Sequence, residues 1–149
     1  MYSSILVTTD GSKLSDKAVR EAAKLAKALG SKLVLFYAVP HYATSHLAEG
    51  MSAPHFSKDN EEAQRAMEAG AKKILADSVK NVNITGVTVE QRFTISYSPY
   101  EAIIEAAKKC KCELIVMASH GRRGLSGLVI GSETQKVLTH SKLPVLVLR

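Results

Sequence analysis

The chain has 149 residues, 46% of them apolar and 23% charged, a balance that excludes intrinsic disorder and points to one domain, spanning 1–149, with a true core. No apolar run reaches membrane-spanning length, and the N-terminus lacks a basic-then-apolar leader pattern, so a cytoplasmic protein is expected. The net charge of +6 favours anionic partners in general. However, the basic residues are dispersed, Trp is absent, and no aromatic-rich strand is available to stack bases, so a nucleic-acid binder is not favoured.

Ile5-Leu6-Val7 reads as a short buried strand ending at Thr8-Thr9-Asp10-Gly11-Ser12. A helix follows from Ser12 or Ser15, with Ala18, Ala22, Leu25, Ala26 and Leu29 on one face and Gly30 at its end. Leu33 to Val39 is a continuous apolar run, as expected of a strand covered on both faces. Strand, helix and strand at this spacing form a right-handed parallel βαβ unit. Residues 40–57 show no periodicity and read as a flap. They carry His41, His46 and His55, whose spacings match no metal-ligand pattern.

A second helix is expected from Lys58 to Val79, with Ala63, Met67, Gly70 and Ile74 on its apolar stripe. Val87 and Val89 then alternate with polar neighbours up to Arg92. This strand is the most polar of the set and belongs at a sheet edge. Ser98-Pro99-Tyr100-Glu101 has the form of a capping box with Pro at the first helical position, and the helix runs through Ile103, Ala106 and Ala107. Cys110 and Cys112 near its end are too few for a structural zinc site and too close for a good disulfide, so they read as thiols. Leu114 to Ala118 and Pro144 to Leu148 complete five strands alternating with four helices, the pattern of a doubly wound α/β domain.

The stretch between the last two strands carries the chemistry. After Ala118 comes Ser119-His120-Gly121, then a glycine-rich loop with Arg122 and Arg123, then Gly131-Ser132 and a helix beginning Glu133-Thr134-Gln135. Glycines let main chain approach a ligand, and a helix N-terminus offers unpaired N–H groups with partial positive charge, so the stretch is suited to phosphate. Ser132 is open to two readings, as an N-cap with Gln135 closing a capping box or as a phosphate contact. Ligands of doubly wound sheets sit at the carboxyl ends of strands where strand order reverses. That rule sets Asp10 across a crevice from this loop if the first and fourth strands are neighbours.

Three fragments, in order and over essentially the whole length, resemble the universal stress protein family. They are Ile5 to Ser12, Ser119-His120-Gly121 with Gly131-Ser132 nine residues on, and Lys142-Leu143-Pro144-Val145-Leu146-Val147. The family's ATP-binding branch has a glycine, two residues, a second glycine, nine residues, then Gly-Ser or Gly-Thr. Here Gly121, Gly131 and Ser132 match, while Ala118 stands at the first glycine position. The resemblance implies ATP as ligand, with or without Mg²⁺. Asp10 would then hold the ribose hydroxyls, and the backbone of Ala38 the adenine edge. Thr8, Met117 and Ala118 would wall base and sugar. The amides of Gly121, Gly131, Ser132 and Glu133, with the Ser132 and Thr134 hydroxyls, would take the phosphates.

The resemblance also implies strand order 3-2-1-4-5, which agrees with the polar third strand as one edge. It further implies a homodimer paired through Val145, Leu146, Val147 and Leu148, whose apolar run would otherwise be a bare edge. The leading functional expectation is a nucleotide-binding stress-response regulator. The chain has no P-loop lysine, and Asp10 is the one carboxylate that the motif sets near the crevice, so at most a weak ATPase is expected. A dimeric interaction module whose pocket is vestigial, as Ala118 suggests, is the alternative.

Overall fold

The computed structural model describes residues 1–41, 56–122 and 130–149, with only the backbone course described over 56–60. The strands are β1 (Ser4–Thr8), β2 (Lys32–Pro40), β3 (Val89–Ser96), β4 (Leu114–Ala118) and β5 (Val145–Leu148). The helices are α1 (Lys13–Leu29), α2 (Phe56–Asn81), α3 (Pro99–Lys109) and α4 (Ser132–His140). All strand pairings are parallel, in the order β3-β2-β1-β4-β5. The expected doubly wound sheet is present, with the polar third strand at one edge and the last strand at the other. Most of the flap reading (42–55, with His46 and His55) and 123–129 of the glycine loop, including Arg123, lie outside the described residues.

Side chains alternate across the sheet and form two core layers. Ile5, Val7, Leu33, Leu35, Leu114, Val116 and Ala118 pack with Ala18, Val19, Ala22 and Ala26 of α1 and Leu75 of α2. Leu6, Val34, Phe36, Ile115 and Met117 face the other way, onto Ala102, Ile103, Ala106 and Ala107 of α3 and Val137 of α4. Burial on both faces explains why β1, β2 and β4 read as unbroken apolar runs. Each large side chain fully buried in these layers contributes about 1.5–3 kcal/mol relative to exposure.

Four local expectations need correction. Leu29 is 39% exposed, and the buried face of α1 is built from small residues, including Val19 and Ala23. On α2, Gly70 is exposed, and the buried stripe runs through Ala71, Leu75 and Ser78, one residue on. Over several turns a 3.6-residue period drifts off a simple i, i+3/4 count. The third strand begins at Val89 and continues to Ser96. Val87 instead closes a turn by donating its N–H to the Ile84 carbonyl at 3.0 Å. Finally, Ser98 is the N-cap residue of α3 but makes no side-chain cap bond, and Glu101 accepts the Tyr100 hydroxyl instead of closing a box.

The thiols are free, as expected. Cys112 is buried with Sγ 3.4 Å from the Ser4 hydroxyl, and desolvation pushes its pKa up.

Candidate nucleotide site

β1 and β4 are neighbours, with Val7 level with Val116, so the order reverses between them and their carboxyl ends open one crevice. On one side stands the turn after β1. Asp10 Oδ1 accepts the Ser12 N–H at 3.0 Å, and the Ser12 hydroxyl accepts the Ser15 N–H at 3.1 Å, capping α1. Beneath this turn lies a buried hydroxyl cluster. Thr9 Oγ1 is 2.9 Å from Ser78 Oγ of α2 and 3.2 Å from Ser15 Oγ, and it accepts the Gly11 N–H. The turn is thereby fastened to both helices of that layer.

The other side is the segment after β4. The Gly131 N–H donates to the Ser119 carbonyl at 2.6 Å, tying the start of α4 to the end of β4. A Cβ on Gly131 would stand 3.1 Å from the Ser119 oxygen and 3.2 Å from His120 Cα, both backbone. A Cβ on Gly121 would stand 2.5 Å from Asp10 Oδ2. Both glycines thus sit in close approach within the protein, Gly121 against the Asp10 carboxylate and Gly131 against backbone. The two sides meet directly, since Asp10 Oδ2 accepts the Arg122 N–H at 2.8 Å. Burial works to raise the Asp10 pKa, but the hydrogen bonds from Ser12, Arg122 and Ser15 outweigh it and leave the carboxyl below its ordinary value.

The helix N-termini around the crevice differ. α4 is capped by Gly131, with no side-chain cap bond, and Ser132 is its first helical residue, exposed. The capping-box reading of Ser132 is thus corrected: Gln135 donates its N–H to the Gly131 carbonyl at 2.9 Å, one position earlier than expected. Among the described residues no acceptor meets the Ser132 or Glu133 N–H. The Glu133 carboxylate is turned away onto the Tyr100 N–H of α3 at 2.9 Å and onto Lys136 Nζ at 2.9 Å. It thereby supplies the cap that Ser98 does not give.

The expected ligand groups separate into two sets. Open to the crevice are the N–H groups of Ser132 and Glu133 and the backbone of Ala38. The Phe36 carbonyl accepts the Thr9 N–H on the β1 side at 2.9 Å, so two residues on Ala38 presents its N–H and C=O to that side, beyond the end of β1. Thr8 and Met117 lie on the same sheet face as Ala38 by alternation. Already engaged are the Gly131 N–H and the Thr134 hydroxyl, which is buried and donates to the Ala118 carbonyl at 2.9 Å.

Ala118 itself belongs to the layer under α1, so its methyl points away from the face that holds Thr8, Ala38 and Met117. Its backbone is ordinary strand, outside the left-handed region. The Arg122 guanidinium lies over Gly11, where a Cβ would stand 2.8 Å from Nη2, toward Ile74 and the α1–α2 groove.

Ser15, Ser78 and the carboxylate of Glu133 were missed as site-builders in the sequence reading. Ser15 stands in that reading only as a possible helix start and Glu133 only for its amide, while Ser78 is a polar residue on the buried stripe of α2. A depression of about 400 Å³ between β3 and α3 lies away from the crevice, while another of about 410 Å³ between α1 and α2 borders it through Gly11 and Arg122.

The model of the universal stress protein family matches residues 1–149. The chain belongs to the universal stress protein family. A universal stress protein of Thermus aquaticus is 33% identical, with the whole of both chains covered. The structure of MJ0577, a universal stress protein of Methanocaldococcus jannaschii, superposes with a TM-score of 0.80 at 23% identity, covering 99% of this chain and 96% of that one. A universal stress protein solved in complex with cAMP superposes with a TM-score of 0.70 at 25% identity, covering 99% and 97%. This universal stress protein thus shares its sheet order and whole-chain course with structures of the family. Among its described residues no helix is long and apolar enough to cross a membrane.

Proposed function

We propose that this universal stress protein binds ATP, or a closely related adenine nucleotide, in the crevice between the ends of β1 and β4, and that it acts as a dimeric stress-response regulator. The observation that carries this reading is the N-terminus of α4. It begins at a glycine that brings no cap, its one acidic first-turn side chain is drawn off to α3, and its first N–H groups meet no acceptor among the described residues. That arrangement suits an anion. The exposed edge of Ala38 suits a base that donates and accepts side by side, and Asp10 suits vicinal hydroxyls. Binding of cAMP by a structural relative supports the same ligand class. Mg²⁺ would ride on phosphate oxygens, as it commonly does.

Turnover in this reading is slow or absent. The carboxylate at the crevice, Asp10, accepts two backbone N–H groups, and no P-loop lysine stands by to neutralise charge. The vestigial-pocket alternative rested on Ala118, whose methyl faces the core layer.

The dimer reading rests on β5. Ile115 and Ser119 donate to the carbonyls of Pro144 and Leu148, so alternate residues Val145 and Val147 direct their N–H and C=O to the outer edge. Leu146 is 40% exposed beside them. A second β5 would satisfy those groups and cover that side chain.

The ligand is tested by denaturing the purified protein and identifying what is released by mass spectrometry. An adenine nucleotide in stoichiometric amount is expected. A preparation that releases none, and that also fails to take up added ATP, would refute the reading.

A further inference from the structure

We propose that Asp10 is a positioning residue for the phosphate-binding main chain, in addition to any contact it makes with a sugar. The inference rests on the nucleotide reading above. Its starting point is an electrostatic oddity, because a carboxylate at the border of an anion site should oppose the anion. The geometry gives it another task. The segment from Ser119 to Arg122 is held at both ends: its first carbonyl accepts the Gly131 N–H at 2.6 Å, and its last N–H donates to Asp10 Oδ2 at 2.8 Å. Gly121 lies between these ties and is packed so closely on Asp10 that a methyl there would stand 2.5 Å from the carboxylate oxygen. Asp10 in turn cannot swing freely. Its other oxygen accepts the Ser12 N–H, and the turn beneath is fastened through Thr9 to Ser15 and to Ser78. The buried hydroxyl cluster, the β1 turn and the first turn of the glycine loop therefore form one hydrogen-bonded unit. Asp10 is its link to the loop, and it sets the Gly121 amide relative to the open start of α4.

The test uses inorganic tripolyphosphate, which has neither sugar nor base. If Asp10 serves only the ribose, Asp10→Ala removes a negative charge and leaves tripolyphosphate binding equal or tighter. If Asp10 positions the loop, the same change weakens it by about tenfold or more, the scale of a lost hydrogen bond to a charged group. Asp10→Asn keeps one oxygen, which can accept the Arg122 N–H only by turning its NH2 toward the Ser12 N–H, so its affinity should fall between wild type and Asp10→Ala.

Gly121→Ala breaks the same contact from the loop side with the charge intact, and its backbone is outside the left-handed region. It should reproduce the loss. Calorimetry of the four full-length proteins with tripolyphosphate and with ATP reads the affinities, and amide exchange at Arg122 reads the tie without ligand. Exchange should be slow in wild type and fast in Asp10→Ala.

Equal or tighter tripolyphosphate binding in Asp10→Ala, or unchanged exchange at Arg122, overturns the inference while leaving the nucleotide reading in place. So does a wild type that binds ATP but no tripolyphosphate. A wild type that binds neither removes the nucleotide reading, and the inference falls with it.

Discussion

Two helices begin at the same crevice and are finished in opposite ways. α1 is closed by its own sequence: Ser12 accepts the Ser15 N–H, and Asp10 accepts the N–H of Ser12. α4 begins at a glycine, brings no cap, and sends its first acidic side chain to finish α3 instead. Capping is worth about 1 kcal/mol, so a helix left open beside one capped as α1 is has forgone stability that a Ser or Asp would supply. The contrast teaches that the crevice has a closed wall, which fixes geometry, and an open wall, which offers donors. Asp10 joins the two.

The comparison can be broken first at the open wall. Gly131→Val should abolish ATP binding and lower stability by about 1–3 kcal/mol, because the side chain meets the Ser119 carbonyl and His120 backbone at the end of β4. The obstruction lies within the protein, at the backbone of Ser119 and His120. Binding assays with a thermal melt check both parts, and a variant that binds ATP normally would show that this approach is not needed.

At the dimer edge, Val147→Pro removes an outward-facing N–H. Light scattering should change from roughly twice the 16.1 kDa chain mass to a monomer. A wild type that is monomeric with β5 ordered would show that something else covers this edge.

At the closed wall, Ser12→Ala should cost about 1 kcal/mol of stability by denaturant titration, with ATP affinity little changed. Asp10→Asn sharpens the same point through pH. The Asp10 pKa is lowered on folding, so its contribution to stability is complete above the unfolded carboxylate pKa and is lost as pH falls through the lower folded value. Wild type should lose stability over that acid range, and Asp10→Asn should lose less. Parallel acid curves would remove Asp10 from the account.

Ala118→Gly is the smallest change. The methyl faces the core layer, so ATP affinity should stay the same while stability drops by about 0.5–1 kcal/mol. A marked gain in ATP affinity would instead favour the vestigial-pocket alternative that Ala118 suggests in the motif.

These cases also mark what the sequence could convey. Buried parallel strands read as apolar runs, and Gly30 and Ser12 punctuate α1, so the architecture, the strand order and the crevice were legible from local pattern joined to resemblance. Partner choices across the fold were not. Ser98 followed by Glu101 has every local feature of a capping box, yet the Tyr100 N–H is taken by Glu133 from another helix. Thr134 looks like a phosphate ligand in the motif, while its hydroxyl bonds the Ala118 carbonyl. Which way the methyl of Ala118 points depends on strand parity within the assembled sheet, which no motif states.

The central claim is that the open start of α4, set opposite Asp10, is a nucleotide seat. Calorimetry of wild-type protein with ATP and Mg²⁺ tests it most directly. Saturable binding of one nucleotide per chain is predicted, and folded protein that gives no heat at millimolar ATP would contradict it.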